Sequence, residues 1–252
     1  MDYDKLLQAI LDVAEEMLVC GAEVARVEDS INRMCDAYGC DRTNAFIITS
    51  NIQVTTEAPD GKILTQIRRI VRNDTNFDRL DYLNDLSRYI CTNKPSVEEL
   101  VVKYEEVMGR KPLPMWLEYA GAILAASSFC VFFGGSWIDG MATAVLAAII
   151  TVLPRFLSRF EENQLAKTFV TSLVAGFVAI VMVGLGFGQH TDKIMIGGIM
   201  LLIPGIALTN SVRDMLTGDM VSGLFRLLNA LLTAVCIAVG FALAIILTGG
   251  GA

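Results

Sequence analysis

Two short stretches of the 252-residue chain hold most of the side chains that could do chemistry. The first is Gly21, Glu23, Arg26, Glu28, Asp29 and Arg33. Glu23 and Arg26 are spaced i,i+3, as are Arg26 and Asp29, and Asp29 and Arg33 are spaced i,i+4. On a helix such pairs are worth about 0.2–0.5 kcal/mol each, which describes a solvated face. An acid–base role for Glu23 or Glu28 would need a carboxylate in an apolar pocket. The second stretch begins at Pro204-Gly205 and continues through Asn210, Arg213, Asp214, Asp219, Ser222 and Arg226. Proline deletes a backbone hydrogen bond inside an apolar helix, and the freed groups need protein or a wet cavity around them. A broken helix beside polar groups is how many secondary transporters build a substrate site. Arg213 and Asp214 are placed to pair with Asp219 and Arg226, and the two aspartates are the proton-relay candidates. The plainer reading is a proline kink, two helix-capping aspartates and an Arg226 that snorkels.

Other chemistry is thin. His190 is the single histidine, so no histidine triad or H-E-x-x-H zinc site can be assembled. It falls in a loop and carries no expected role. The six cysteines form no C-x-x-C pair and read as small buried thiols in a reducing compartment. No metal or cofactor is implied. Asn73-Asp74-Thr75 matches a glycosylation pattern that a cytosolic location would make meaningless. Glu161 and Glu162 sit among Arg159 and Lys167 and read as local charge balance.

The elements that position these residues divide the chain. Apolar residues make up 54% of it and charged residues only 19%. Residues 1–118 carry 14 basic and 21 acidic side chains, and residues 119–252 carry 6 of each. The second part has too few polar residues to cover a globule in water. The first part is acidic with no basic block, which argues against nucleic acid. The acidic N-terminus precedes no apolar run, so no signal peptide is expected and the first part is expected in the cytosol.

In residues 1–111, Leu7, Ile10, Leu11, Ala14, Met17 and Leu18 repeat at helical spacing, with Gly21 as the stop. Val24, Val27, Ile31, Met34 and Tyr38 give a second helix, ended by Gly39. Phe46, Ile48, Ile52 and Val54 then alternate with Ile47, Thr49, Asn51, Gln53 and Thr55, which predicts one or two strands whose dry face carries the first four. Pro59-Asp60-Gly61 is a turn signal, and Ile63–Val71 a further β-like stretch. Helical spacing returns from Asp78 to Ile90, and Ser96-Val97-Glu98-Glu99 opens another helix that ends near Gly109. This predicts an α+β domain.

Residues 112–118 read as a basic, proline-broken linker, and 119–252 as a membrane domain. Uncharged or nearly uncharged runs cover 119–138, 140–154, 168–189, 194–212 and 227–248. Four of them are near the ~20 residues that span a bilayer, and the shorter run 140–154 is extendable if Arg155 snorkels at the boundary, so five transmembrane helices are expected. Trp116 and Trp137 flank the first. Arg110, Lys111, Arg155, Arg159, Lys167 and Arg213 fall on one side and only Lys193 on the other, which places the N-terminal domain inside and the C-terminus outside. Glycines in the spans, including Gly176, Gly197, Gly198 and Gly240, argue for a packed bundle. A tether would need one span, so five favour transport over anchoring. A membrane-anchored enzyme with chemistry near Glu23 and Glu28, and a sensor or scaffold that transports nothing, are the competing readings.

The stretches Cys20-Gly21-Ala22-Glu23-Val24-Ala25-Arg26-Val27-Glu28-Asp29 and 203–226, with Ile203-Pro204-Gly205 and Asn210-Ser211-Val212-Arg213-Asp214, resemble the threonine/serine exporter family. The resemblance covers nearly the whole chain. It implies a secondary exporter of small carboxylate-bearing metabolites in the bacterial cytoplasmic membrane, and no enzyme. Full-length members carry a second membrane half that this chain lacks. The chain is therefore similar to the split members of the family, which work with a small separate membrane subunit and are associated with dicarboxylates such as succinate. Five spans cannot form two equal inverted repeats, and a partner could complete such a pair. The resemblance implies that Pro204, Gly205, Asn210, Arg213, Asp214, Asp219, Ser222 and Arg226 belong to the substrate pathway, where an arginine suits a carboxylate. It leaves homo-oligomerisation open, and does not separate succinate from serine or threonine.

Overall fold

The computed structural model describes residues 1–72 and 74–249. Asn73 of the glycosylation pattern lies outside the described residues. Ten helices and one three-stranded sheet are present among the described residues. They divide into two compact units: residues 1–112 with 208–227, and residues 113–207 with 228 onward.

In the first unit, α1 (Tyr3–Val19) and α2 (Val24–Ala37) are joined by a short loop at Gly21, whose φ of +100° is a left-handed value that glycine adopts without steric cost. Their apolar stripes meet in one core: Leu7, Ile10, Leu11 and Met17 against Val27, Ile31 and Met34. Helices α3 (Phe77–Asn93) and α4 (Val97–Met108) add Leu83, Ile90 and Leu100. Ser96 caps α4 by accepting from the Glu99 amide at 3.3 Å.

The strands β1 (Asp41–Ile48), β2 (Asn51–Glu57) and β3 (Ile63–Arg69) form an antiparallel meander. Here the expected dry face is corrected. Ile52 and Val54 are buried as expected, but Phe46 is 61% exposed and Ile47 is buried in its place. The reason is the turn at Thr49-Ser50. Ile48 pairs with Asn51 and Ile47 with Ile52, so an odd position on β1 shares a face with an even position on β2. A continuous period of two cannot cross such a hairpin.

Glu16 of α1 is a buried carboxylate that the helical pattern did not distinguish from its exposed neighbours. Arg79 donates to it at 2.8 Å and Arg72 at 3.1 Å, which ties α3 and the segment before it to α1.

The second unit contains α5 (Met115–Phe132), α6 (Trp137–Leu157), α7 (Gln164–Gly184), α8 (Thr191–Leu202) and most of α10 (Met220–Leu247). Helix α5 begins directly after Pro114, so 115–118 are helical. Four helices, α5, α6, α7 and α10, are long and apolar enough to cross a membrane. The pair α8 and α9 (Gly205–Thr217), broken at Ile203-Pro204, passes the same test together. Ile203 is extended, with ψ 126°, as the residue before a proline must be. Arg155 does not simply reach for solvent: it pairs with Glu118 and donates to the Tyr119 hydroxyl at 3.1 Å. The core joins Leu146 and Ile150 of α6, Ala175 and Ala179 of α7, Ile194 of α8, and Ile237 and Phe241 of α10. The small residues expected to allow close approach do so: a Cβ on Gly240 would lie 2.7 Å from the Ser172 Cβ of α7.

Candidate functional site: a loop held by two helices

Parts of the two chemically rich stretches meet within the first unit. The centre of this site is the α1–α2 loop. Glu23 holds the N-cap position of α2, yet its side chain makes no capping bond. It reaches Arg213 of α9 instead, with Nη1 donating to Oε1 at 2.7 Å. Asn210 Nδ2 donates to the Gly21 carbonyl at 3.2 Å. Arg226 Nη2 donates to the Ala22 carbonyl at 2.9 Å. Arg226 Nε lies 3.1 Å from Asp214 Oδ2. Three successive residues, 21–23, are therefore each met by a polar group from α9 or α10.

The local sequence explains how α9 and α10 present these groups together. Helix α9 ends in a Schellman turn: the Asp219 amide bonds the Asp214 carbonyl at 2.8 Å, the Gly218 amide bonds Met215 at 3.3 Å, and Gly218 has φ +103°. The chain reverses and α10 runs back against α9. At Gly223 a Cβ would lie 2.7 Å from the Ser211 carbonyl oxygen, so no larger residue fits without backbone movement. The 28 residues of α10 extend about 42 Å, longer than a ~30 Å hydrocarbon core. Its first eight residues, 220–227, belong to the first unit.

The expected ion pairs are thus half right. Asp214 pairs with Arg226, but Arg213 pairs with Glu23 and not with Asp219. Arg226 does not snorkel: its side chain is 14% exposed, its Nη2 donates to the loop and its Nε lies in ion-pair range of Asp214. In the first cluster, only Asp29–Arg33 forms as the spacing suggests, at 2.8 Å. Arg26 is exposed on α2 and enters no ion pair among the described residues.

Asp219 and Ser222 face elsewhere. With Glu28 of α2 and Ala45–Ile48 of β1 they line a pocket of about 190 Å³ beside Gly218, Met220 and Val221. Burial raises the Glu28 carboxyl above its ordinary range, and the Asp219 charge pushes it the same way. Pro204 and Gly205 lie at the α8–α9 break, in the second unit.

A further polar centre, in the second unit, escaped the sequence reading. Asp139 at the start of α6 is fully buried. Its carboxylate accepts from the Ser136 amide and hydroxyl, both at 2.8 Å, from the Gln189 amide at 2.6 Å, and from the His190 amide at 3.0 Å. The His190 Nδ1 lies 2.9 Å away. One carboxylate thereby joins the α5–α6 turn to the α7–α8 turn. The Ser136–Asp139 spacing is a capping-box signature, and it was the available signal. Among the described residues no group of three or more His, Cys, Asp or Glu could hold a metal ion.

Comparison with known proteins adds the following. The model of the threonine/serine exporter family, ThrE, matches residues 8–248. A probable threonine/serine exporter of Mycobacterium tuberculosis is 30% identical over 242 residues, covering 94% of this chain and 45% of that protein. The chain therefore spans about half the length of that relative. The probable succinate transporter subunit YjjP of Klebsiella aerogenes is 28% identical over 244 residues, covering 92% of this chain and 90% of that protein. The threonine/serine exporter of Corynebacterium glutamicum is 24% identical, and this chain covers 49% of it. No solved structure matches.

Proposed function

The chain belongs to the threonine/serine exporter family, and from that premise we propose that it is one subunit of a secondary exporter that moves small carboxylate-bearing metabolites out of the cytoplasm. The substrate class spans what the relatives' names give, succinate on one side and threonine and serine on the other. The near full-length match to a protein named as a subunit supports a separate membrane partner that supplies the rest of the pathway. The distribution of Lys and Arg supports a cytoplasmic N-terminal unit in an inner-membrane protein, with five spans if α8 and α9 cross as one broken element.

The observation that carries the mechanism is the hold of α9 and α10 on Gly21–Glu23. Asp214, Asn210 and Arg226 join the α1–α2 loop to α9 and the start of α10. Arg213, whose side chain is 64% exposed, is the arginine that can exchange Glu23 for a substrate carboxylate. The Pro204-Gly205 break is where the pathway opens, because an interrupted helix beside polar side chains is a common form of transporter substrate site.

The test is efflux of labelled succinate, serine and threonine from cells that lack their own exporters. The chain is expressed alone and with the small membrane protein of the split type. Flux should require both proteins, fall several-fold with Arg213→Gln, and vanish with Arg226→Ala. Absence of flux in every combination, with both proteins shown in the membrane, would overturn the exporter reading.

A further inference from the structure

We propose that Asp139 and His190 form a proton-operated clasp between two turns of the second unit, closed more tightly when His190 takes a proton. The turns join α5 to α6 and α7 to α8. Asp139 stands at the start of α6 and is fully buried, while the His190 side chain, at the end of the α7–α8 turn, is 52% exposed. One end of the pair is sealed in the protein, and the other is open to solution.

The geometry fixes which atoms carry protons. The amides of Ser136, Gln189 and His190 meet the Asp139 carboxylate at 2.8, 2.6 and 3.0 Å. An amide can only donate, and an ionised carboxylate only accepts. His190 must then donate as well, from Nδ1, 2.9 Å from Asp139 Oδ2. That tautomer leaves Nε2 without a proton, and Nε2 has no partner among the described residues. Uptake of a proton from solution at Nε2 turns the ring into an imidazolium and the Nδ1–H contact into an ion pair. A charge-assisted hydrogen bond is roughly twice as strong as a neutral one.

The surroundings commit the two groups to each other. His190 holds the N-cap position of α8, yet its side chain makes no capping bond. Gly188, at φ +123°, turns the chain so that two successive amides, of Gln189 and His190, reach Asp139 Oδ1. Residues 133–138 and 185–189 contain no charged side chain, and α10 carries none beyond Leu228. Asp192 and Lys193, in the first turn of α8, pair with each other at 3.1 Å. From α5 the neighbouring titratable group is the buried Cys130 thiol. The buried Asp139 carboxylate has no Lys or Arg partner among the described residues, so a proton on His190 is the countercharge available to it.

The clasp rests on the exporter reading only for its setting, since the proposed topology turns these loops to the outside and makes external acidity the signal. Proton uptake and tightening are measured without transport, so either can fail alone. His190 is the single histidine, so 15N-histidine NMR of the full chain, purified without a histidine tag and held in lipid nanodiscs, reports this ring alone. At about pH 8 its signals should be those of the Nδ1–H tautomer, and at about pH 5 those of the imidazolium. Over the same range, after correction for intrinsic rates, hydrogen exchange at residues 186–190 should slow about threefold or more. His190→Gln keeps a neutral donor for Asp139, so it should fold and show no such slowing. Asp139→Asn should lose the tautomer preference; where it fails to fold, His190→Gln carries the test. Three results would each overturn the proposal: the Nε2–H tautomer at about pH 8, protection in the parent that does not change with acidity, or an equal response in His190→Gln.

Discussion

Replacing Arg226 with leucine should release the α1–α2 loop. The guanidinium is 14% exposed and the Asp214 side chain beside it 1% exposed. Deleting the cation leaves a buried carboxylate without its partner, which typically costs about 3–5 kcal/mol. The Ala22 carbonyl also loses its donor, worth roughly 1 kcal/mol. Some of this is recovered as Asp214 takes up a proton, so about 3 kcal/mol is the working figure, or two orders of magnitude in the local opening equilibrium. Hydrogen exchange read by mass spectrometry over residues 20–31 would report it directly. The double variant Asp214→Asn with Arg226→Leu should be better protected than Arg226→Leu alone, because no buried charge remains. The coupling between the two positions should be about 2 kcal/mol. By contrast, Arg213→Ala breaks a pair that is 64% exposed on one side and should cost less than about 1 kcal/mol. Protection within threefold of the parent in Arg226→Leu, or strict additivity of the two substitutions, would refute the reasoning.

Glu16→Ala should destabilise the N-terminal unit by about 3 kcal/mol or more, since it strands Arg79 against a site built for a carboxylate; a urea titration followed by proteolysis of the 70–79 segment would check it. Gly223→Ala should loosen the α9–α10 hairpin, because the new methyl meets the Ser211 carbonyl at 2.7 Å, and loss of the Arg226 contacts should appear as faster exchange at residues 20–24. Glu28 supplies a pH signature. Its folded-state affinity for a proton is raised, by burial first and by Asp219 second, so the native state binds more protons than the unfolded chain. Stability should therefore fall as pH rises from the ordinary glutamate value of 4.5 through the raised one, and Glu28→Gln should flatten that slope. An unchanged slope in the glutamine variant would count against the buried placement of Glu28.

Much of the architecture follows from local pattern. The stripes of α1 and α2, the glycine stop at Gly21 and the interruption at Pro204 are consequences of side-chain spacing and backbone sterics within a few residues. Long apolar runs became α5, α6, α7 and α10 for an equally local reason, since a stretch that water cannot solvate must satisfy its backbone internally. The ion-pair partners were not local. Arg213 reaches a glutamate 190 positions away in preference to the aspartate six residues on, because the turn at Gly218 sends Asp219 toward β1 while α9 lies along the loop. The dry face of β1 was decided by the two-residue turn that inverts its parity with β2. Glu16 and Asp139 look in the sequence like any polar residue at the margin of an apolar stripe, and only packing encloses them. Spacing along the chain therefore determined which elements form and which residue types are rich in chemistry. Tertiary packing determined which charges meet, because a charge is committed by whatever cation or amide the fold brings within about 3 Å, and that choice carries no period.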